Sequence, residues 1–201
     1  MKHLRAAVLT VCLAAVSVGA QAQADERKNE LSFSYGFMPN AQWVGYLEKI
    51  TGQEAGARFS DDSFLGPLSV EYFHHTRSKL SLGAVLVVAH NKQDIQLAGT
   101  TNGNDGSWTN NYVTVMPALK YDWMRNEKMA IYSKLALGAT WRNESIDFDD
   151  KDYIDYGKDA FCFNWQASAI GFEYGSTTFR GFAELGVGEQ GVVLAGIRFK
   201  L

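Results

Sequence analysis

Eight charged residues stand on the polar sides of alternating segments: Glu71, Lys120, Asp122, Lys134, Glu173, Arg180, Glu184 and Arg198. Acids and bases are both present, and they are spread over separate segments. Such a set can do its chemistry only if the fold turns those polar sides toward one another. Buried and unpaired, each charge costs several kcal/mol, so the first chemistry open to them is mutual pairing into a salt-bridged plug. The second is to line a narrow gated pore.

Two further groups could act. His74, His75 and Ser78, with Glu71 to orient a base, have the residue types of a nucleophilic hydrolase, in which Ser needs a neighbouring base. His90 reads as a polar rim residue. The run Asp147, Asp149, Asp150 and Asp152, with Asp155 beyond, holds enough carboxylates for a weak divalent-ion loop. It lacks the glycine and the closing glutamate of an EF-hand, so a solvated acidic loop is the simpler state. There is no phosphate-binding loop, no Cys/His metal set and no heptad repeat, so neither a resident metal nor a cofactor is expected.

Period-two alternation identifies the elements that must position these residues. Residues 30–38, 64–75, 79–90, 112–123, 129–141, 160–174 and the two halves of 177–201 each read as a strand. Leu31, Phe33, Tyr35 and Phe37 oppose Ser32, Ser34 and Gly36 in the first. Val193, Ala195, Ile197, Phe199 and Leu201 oppose Gly196, Arg198 and Lys200 in the last. Pro67 fits the start of a strand, and Pro117 in mid-strand predicts a bulge. In 160–174 the apolar parity changes, which predicts a phase slip near Ser168 or Ala169. Trp43, Leu47 and Ile50 fall at helical spacing and predict a short helix in the first long connection.

The connections alternate long and short, and Asn91–Asn111 and Arg142–Asp159 are read as loops. Aromatics gather at both strand ends: Tyr72, Tyr121, Trp123, Phe172, Tyr174 and Phe199 beside the short turns, Trp141, Phe161 and Phe163 beside the long ones. Such clusters are what interfacial girdles look like.

Residues 1–24 read as a cleaved signal peptide. Lys2, His3 and Arg5 precede the apolar stretch 6–18, and Ala20-Gln21-Ala22 and Ala22-Gln23-Ala24 are cleavage-like. Residues 25–201 then suit one domain. Net charge is −3, or −5 without Lys2 and Arg5, so there is no nucleic-acid footprint. Cys162 alone remains beyond the leader, which excludes a disulfide scaffold. No segment after the leader approaches the ~18 apolar residues of a membrane helix. A membrane location therefore requires a closed barrel, in which every backbone group is paired.

The exported start, the early strand ELSFSYGF, the hairpin GPLSVEYFHHTRSKLSLGAVL and the terminal LAGIRFKL together resemble the small outer-membrane β-barrel proteins of Gram-negative bacteria. In plan they are similar to the transmembrane barrel of the OmpA type. The resemblance implies an all-β fold: an eight-stranded antiparallel up-and-down transmembrane barrel. It places the termini in the periplasm and the long loops outside. The partners it implies are outer-membrane lipid, lipopolysaccharide, and the barrel-assembly machinery through the C-terminal strand. The expected role is structural or surface-interacting, with no enzymatic activity. A small pore or solute-binding barrel is the alternative. Some barrels of this kind are lipid A deacylases. However, the His-His-Thr-Arg-Ser spacing departs from theirs, and it lies at an expected periplasmic turn. A soluble lipocalin-like binder would reverse the polarity of the faces. The Gly, Ser and Ala on the polar sides of residues 79–90 and 179–187 are too small and uncharged for a soluble exterior.

Overall fold

The computed structural model describes residues 28–40, 58–76, 79–96, 106–148 and 156–201. Eight strands follow one another: β1 Asn29–Phe37, β2 Arg58–His75, β3 Leu80–Gln96, β4 Gly106–Arg125, β5 Met129–Phe148, β6 Tyr156–Gly175, β7 Phe179–Gly188 and β8 Val193–Lys200. Each pairs antiparallel with the next, and β8 pairs with β1, so the sheet closes into a barrel. Closure leaves side chains two destinations, the lumen or the outside, and the alternation of each strand decides between them.

The outside is apolar. Leu82, Leu119, Leu135, Leu137, Ile170, Phe172, Leu185 and Ile197 are exposed there. The lumen is polar over most of its wall, with one apolar patch of Phe73, Val85, Val87, Met116, Ala118 and Ala136 on the β2–β5 side. At the short-turn end the chain reverses at 126–128 and 176–178, and Leu201 pairs with Asn29 through reciprocal backbone bonds.

Strand lengths differ around the barrel. β2 to β6 run for 17 to 20 residues, whereas β1, β7 and β8 have 9, 10 and 8. Much of what the sequence reads as loop at 91–111 and 142–159 is therefore strand: polar residues extend β3 to β6 beyond their apolar portions. Loop-like composition here marks a change of surroundings rather than a break in hydrogen bonding. The predicted helix and the acidic residues Asp149, Asp150 and Asp152 lie outside the described residues. Asp147 falls near the end of β5.

The irregularities sit elsewhere than the prolines suggest. Register is unbroken at Pro117, which pairs opposite Ala84. A proline removes one donor: the ladder to β3 runs through it, while that to β5 has no pair at Met116 and Pro117 and resumes in the same register at Ala118. Pro67 is not at a strand start. It lies within β2 at a register shift between Leu65 and Leu68. The parity change in β6 is a bulge between Ser168 and Ile170, which leaves Ala169 unpaired toward β7. Related shifts occur at Tyr132/Lys134 in β5 and Asp122/Met124 in β4.

The turn between β7 and β8 is tucked into the lumen. Gly188 and Gly191 take φ of 138° and 109°, which a side chain rarely allows. Gly36 makes the room: a Cβ there would lie 1.7 Å from the Gln190 carbonyl oxygen.

Candidate functional site

All eight charged residues singled out in the sequence point into the lumen and are buried. Arg198 lies at their centre. Its guanidinium bonds Glu173 and Ser32 and stands 3.5 Å from Glu71, 3.6 Å from Glu30 and 3.9 Å from Glu184. It also rests on aromatic faces, 4.3 Å from the Phe182 ring centroid and 4.9 Å from that of Tyr132. Lys134 bridges Glu71 and Glu184, at 2.5 and 2.7 Å. Arg180 donates to Glu173 at 2.6 Å and to the carbonyls of Asn126 and Glu127. Asp122 lies toward the short-turn end, 3.6 Å from His75 and 3.9 Å from Arg125.

The structure adds residues that the sequence reading left out of the set. Glu30 accepts from Lys120 and, at 2.6 Å, from Lys200. Lys200 also reaches Glu173 at 2.8 Å. Tyr132 donates its hydroxyl to Glu184 at 2.8 Å, and Ser168 does so at 2.6 Å. Glu30 and Lys200 were legible, since Glu30 shares parity with Ser32 and Ser34, and Lys200 with Arg198. Glu189 and Gln190 were not, because alternation says nothing about a turn. Gln190 donates to Glu71 at 2.7 Å, while its backbone N–H donates to Gln166. Glu189 accepts from Thr114 at 3.0 Å and Asn164 at 2.6 Å. It is the interior carboxylate with no ion pair among the described residues. Burial among neutral donors pushes its carboxyl above the usual carboxylate range.

The hydrolase set does not assemble. Adjacent residues of a strand point to opposite sides, so His74 faces out and bonds Asn29, while His75 faces in. Glu71 is engaged by Lys134 and does not orient His75. Ser78 lies outside the described residues. What does meet His75 is Ser81, 2.6 Å from Nδ1, and Glu30, 2.7 Å from Nε2. Ser81 is fully enclosed and Glu30 is already held by two lysines, so this row is a hydrogen-bonded strut across the lumen.

The outer surface completes the geometry. From Val113 to Trp123, β4 presents apolar residues outward over about 33 Å of strand at ~3.3 Å per residue. At a tilt of about 40° this gives roughly 25 Å of height, the apolar band of a bilayer-spanning barrel. Above the band stand the polar pairs His90–Asn111 and Asn143–Asp159, each 2.8 Å apart. Below it, Tyr72 and His74 both bond Asn29, and Trp123 donates to Ser133. Charge is inside, apolar surface outside, and polar collars bound that surface at both ends. The chain folds as a small outer-membrane-type β-barrel.

No family model matches the chain, and no curated protein does. Among solved structures it is similar to Ail, the attachment invasion locus protein of Yersinia pestis. The identity is 10%, with 85% of this chain and 91% of that one covered and a TM-score of 0.41. The same protein in complex with the heparin analogue sucrose octasulfate aligns at 9% identity, covering 85% and 92%, with a TM-score of 0.42. Similarity this distant carries nothing about ligand or partner.

Proposed function

We propose that this chain is an integral protein of the bacterial outer membrane, with a closed barrel that anchors a polar extension of β2–β6 at the cell surface. The observation that carries this reading is the combination of an apolar outer band with a lumen filled by paired charge. A soluble binder of apolar ligands would need the opposite polarity. A conducting pore would need a lumen free of the Arg198, Lys134 and Glu30 networks. The termini and short turns face the periplasm in this reading. The extension above the His90–Asn111 collar meets lipopolysaccharide and external partners. The residues from Val193 to Leu201 form the strand that the barrel-assembly machinery would engage. The activity is surface interaction rather than catalysis, since the enclosed Ser81–His75–Glu30 row leaves no room for a substrate.

The test is membrane fractionation followed by electrophoresis with and without boiling, and planar-bilayer recording on the extracted protein. Recovery with the outer membrane, a mobility shift on heating and no unitary conductance are expected. A soluble periplasmic protein without the shift would overturn the membrane reading. Stable single-channel steps would replace the closed barrel with the small-pore alternative.

A further inference from the structure

The short-turn end of the barrel is charged on one side. The turns at 76–79 and 125–128 carry Arg77, Lys79, Arg125 and Lys128 against a single acid, Glu127. The third turn, Ser176-Thr177-Thr178, carries no charge. Backbone bonds fix where the described bases stand. The Lys79 carbonyl accepts from Asp122 at 2.8 Å, which sets Lys79 beside β4. Arg125 ends β4 opposite Ala130, and the Lys128 carbonyl accepts from Gly175 at 2.9 Å. All three side chains are exposed. Arg125 stands 3.9 Å from the buried Asp122, and Lys79 and Lys128 form no ion pair with any described residue. The lumen treats its bases differently: Lys120, Lys134 and Lys200 are each held by carboxylates.

The apolar wall begins directly beside the exposed bases. Leu80 follows Lys79 and pairs with Tyr121. Tyr121 and Trp123 meet edge to face, with ring centroids 4.8 Å apart, and both are exposed. Ser133 accepts from the Trp123 indole and ties its ring to β5. One step further along the strands, Leu82, Leu119 and Leu135 pair in a row across β3, β4 and β5, all exposed. The order along the wall is therefore cation, aromatic ring, aliphatic side chain. Lysine suits the first place, because its stem can lie on apolar surface while its head stays at the interface. Tyr and Trp suit the second, at headgroup level.

We infer that the outer wall of β3–β5 at this end is a binding site for an anionic glycerophospholipid. The phosphate lies among Lys79, Arg125 and Lys128. The glycerol esters lie at the level of Tyr121 and Trp123, and the acyl chains run along the leucine row. A free anion or an acidic soluble partner would need the bases alone. The exposed leucines next to them make the occupant a lipid. Three described bases against Glu127 select a headgroup with net negative charge over a zwitterionic one. The inference rests on the membrane reading of the apolar band and names the lipid class that this part of it holds.

For the test, the extracted protein is reconstituted into vesicles of phosphatidylcholine mixed with phosphatidylglycerol. In one set the phosphatidylglycerol chains are brominated. In the other, an equal share of the phosphatidylcholine is. Emission from Trp123 is the difference between the parent and Trp123→Phe. Emission from Trp141, opposite Val113 at the far end of the band, is read in the same way. Brominated phosphatidylglycerol should quench Trp123 as though enriched about fivefold over its bulk share, the preference that one base at a membrane surface supplies. Trp141 should show no preference. Raised salt should weaken the effect at Trp123, since the bases are exposed. Lys79→Gln/Arg125→Gln/Lys128→Gln should abolish it while keeping the mobility shift of a folded barrel, and Lys79→Arg/Lys128→Arg should retain it. Equal quenching of Trp123 by the two lipids, an equal preference at Trp141, or a preference that survives the triple glutamine variant would each overturn the inference. No quenching of Trp123 by either lipid would instead sink the membrane reading itself.

Discussion

Arg198 has four carboxylates within 4 Å and no contact with water. Replacing it by methionine keeps much of the volume but leaves Glu173, Glu71 and Glu30 short of a cation. Removing one partner of a buried ion pair costs about 3–5 kcal/mol. Arg198→Met should lower the urea midpoint of the barrel in micelles correspondingly, and an unchanged midpoint would mean that the network is not shared in this way. Glu189 makes the opposite case. Its partners Thr114 and Asn164 are neutral, and burial raises its pKa above the ordinary value of 4.5. A carboxyl whose pKa is raised on folding contributes stability fully below the unfolded value and loses it as pH rises through the folded one. Glu189→Gln can accept from Asn164 through its oxygen and donate its amide N–H to the Thr114 hydroxyl, without the charge. It should therefore unfold at an equal or higher urea concentration than the parent at neutral pH, with the gap closing as pH falls below about 4.5. A variant weaker than the parent at neutral pH would show that the ionised form is the stabilised one.

The β7–β8 turn is held as an element rather than by any one residue. Val192 donates to Phe37, Glu189 donates to Trp165, and Gln190 reaches Glu71, so the turn ties β1, β2 and β6 together across the lumen. Gly36 is the point of closest approach. Gly36→Ala must push the Gln190 carbonyl away, and overpacking of this kind costs about 1–3 kcal/mol. The expected readout is a lower unfolding midpoint together with protease cleavage near Gly188–Gly191 that the parent resists. The same substitution at Gly181, where an added Cβ meets nothing within 4 Å, should leave both unchanged. The bulges in β4, β5 and β6 act at this scale too. One extra residue at Ala169 returns Gly171 and Glu173 to the lumen after Ser168. A one-residue slip without that bulge would turn Glu173 outward and Phe172 inward.

At the scale of the molecule, a membrane barrel of this polarity has its solvents inverted, with lipid outside and charge within. Leu137→Arg places a cation in the middle of the apolar band of β5. In a bilayer this costs about 2–4 kcal/mol near the midplane and close to nothing at the interfaces. The same change at Asn143, in the polar collar, should then be silent when unfolding is measured in vesicles. Equal effects at the two positions would show that the band is not a lipid contact. A further consequence of inversion is that a polar composition no longer marks a loop. On the membrane reading β3 to β6 pass from lipid to water along their length, and their composition changes while their hydrogen bonding does not.

The number of strands, their antiparallel succession and the inward side of each were legible in the sequence. Alternation has a period of two in any strand, and a closed sheet has only two sides. Parity sets Glu71, Lys120, Lys134, Glu173, Glu184 and Arg198 on one side of the sheet and shows the slip in β6, and the small uncharged residues that share the polar sides mark that side as the lumen. Which inward charges meet was not legible. Glu30 and Lys200 come from opposite ends of the chain, and barrel closure between β1 and β8 brings them together. The same holds for the reach of the strands beyond their apolar portions, the place of the bulge at Pro67 rather than Pro117, and the turn carrying Glu189 and Gln190. These depend on how far each strand is staggered against its neighbours and on what fills the lumen. Stagger and lumen filling are properties of the closed sheet, set by its packing and hydrogen bonds, and no single strand contains them.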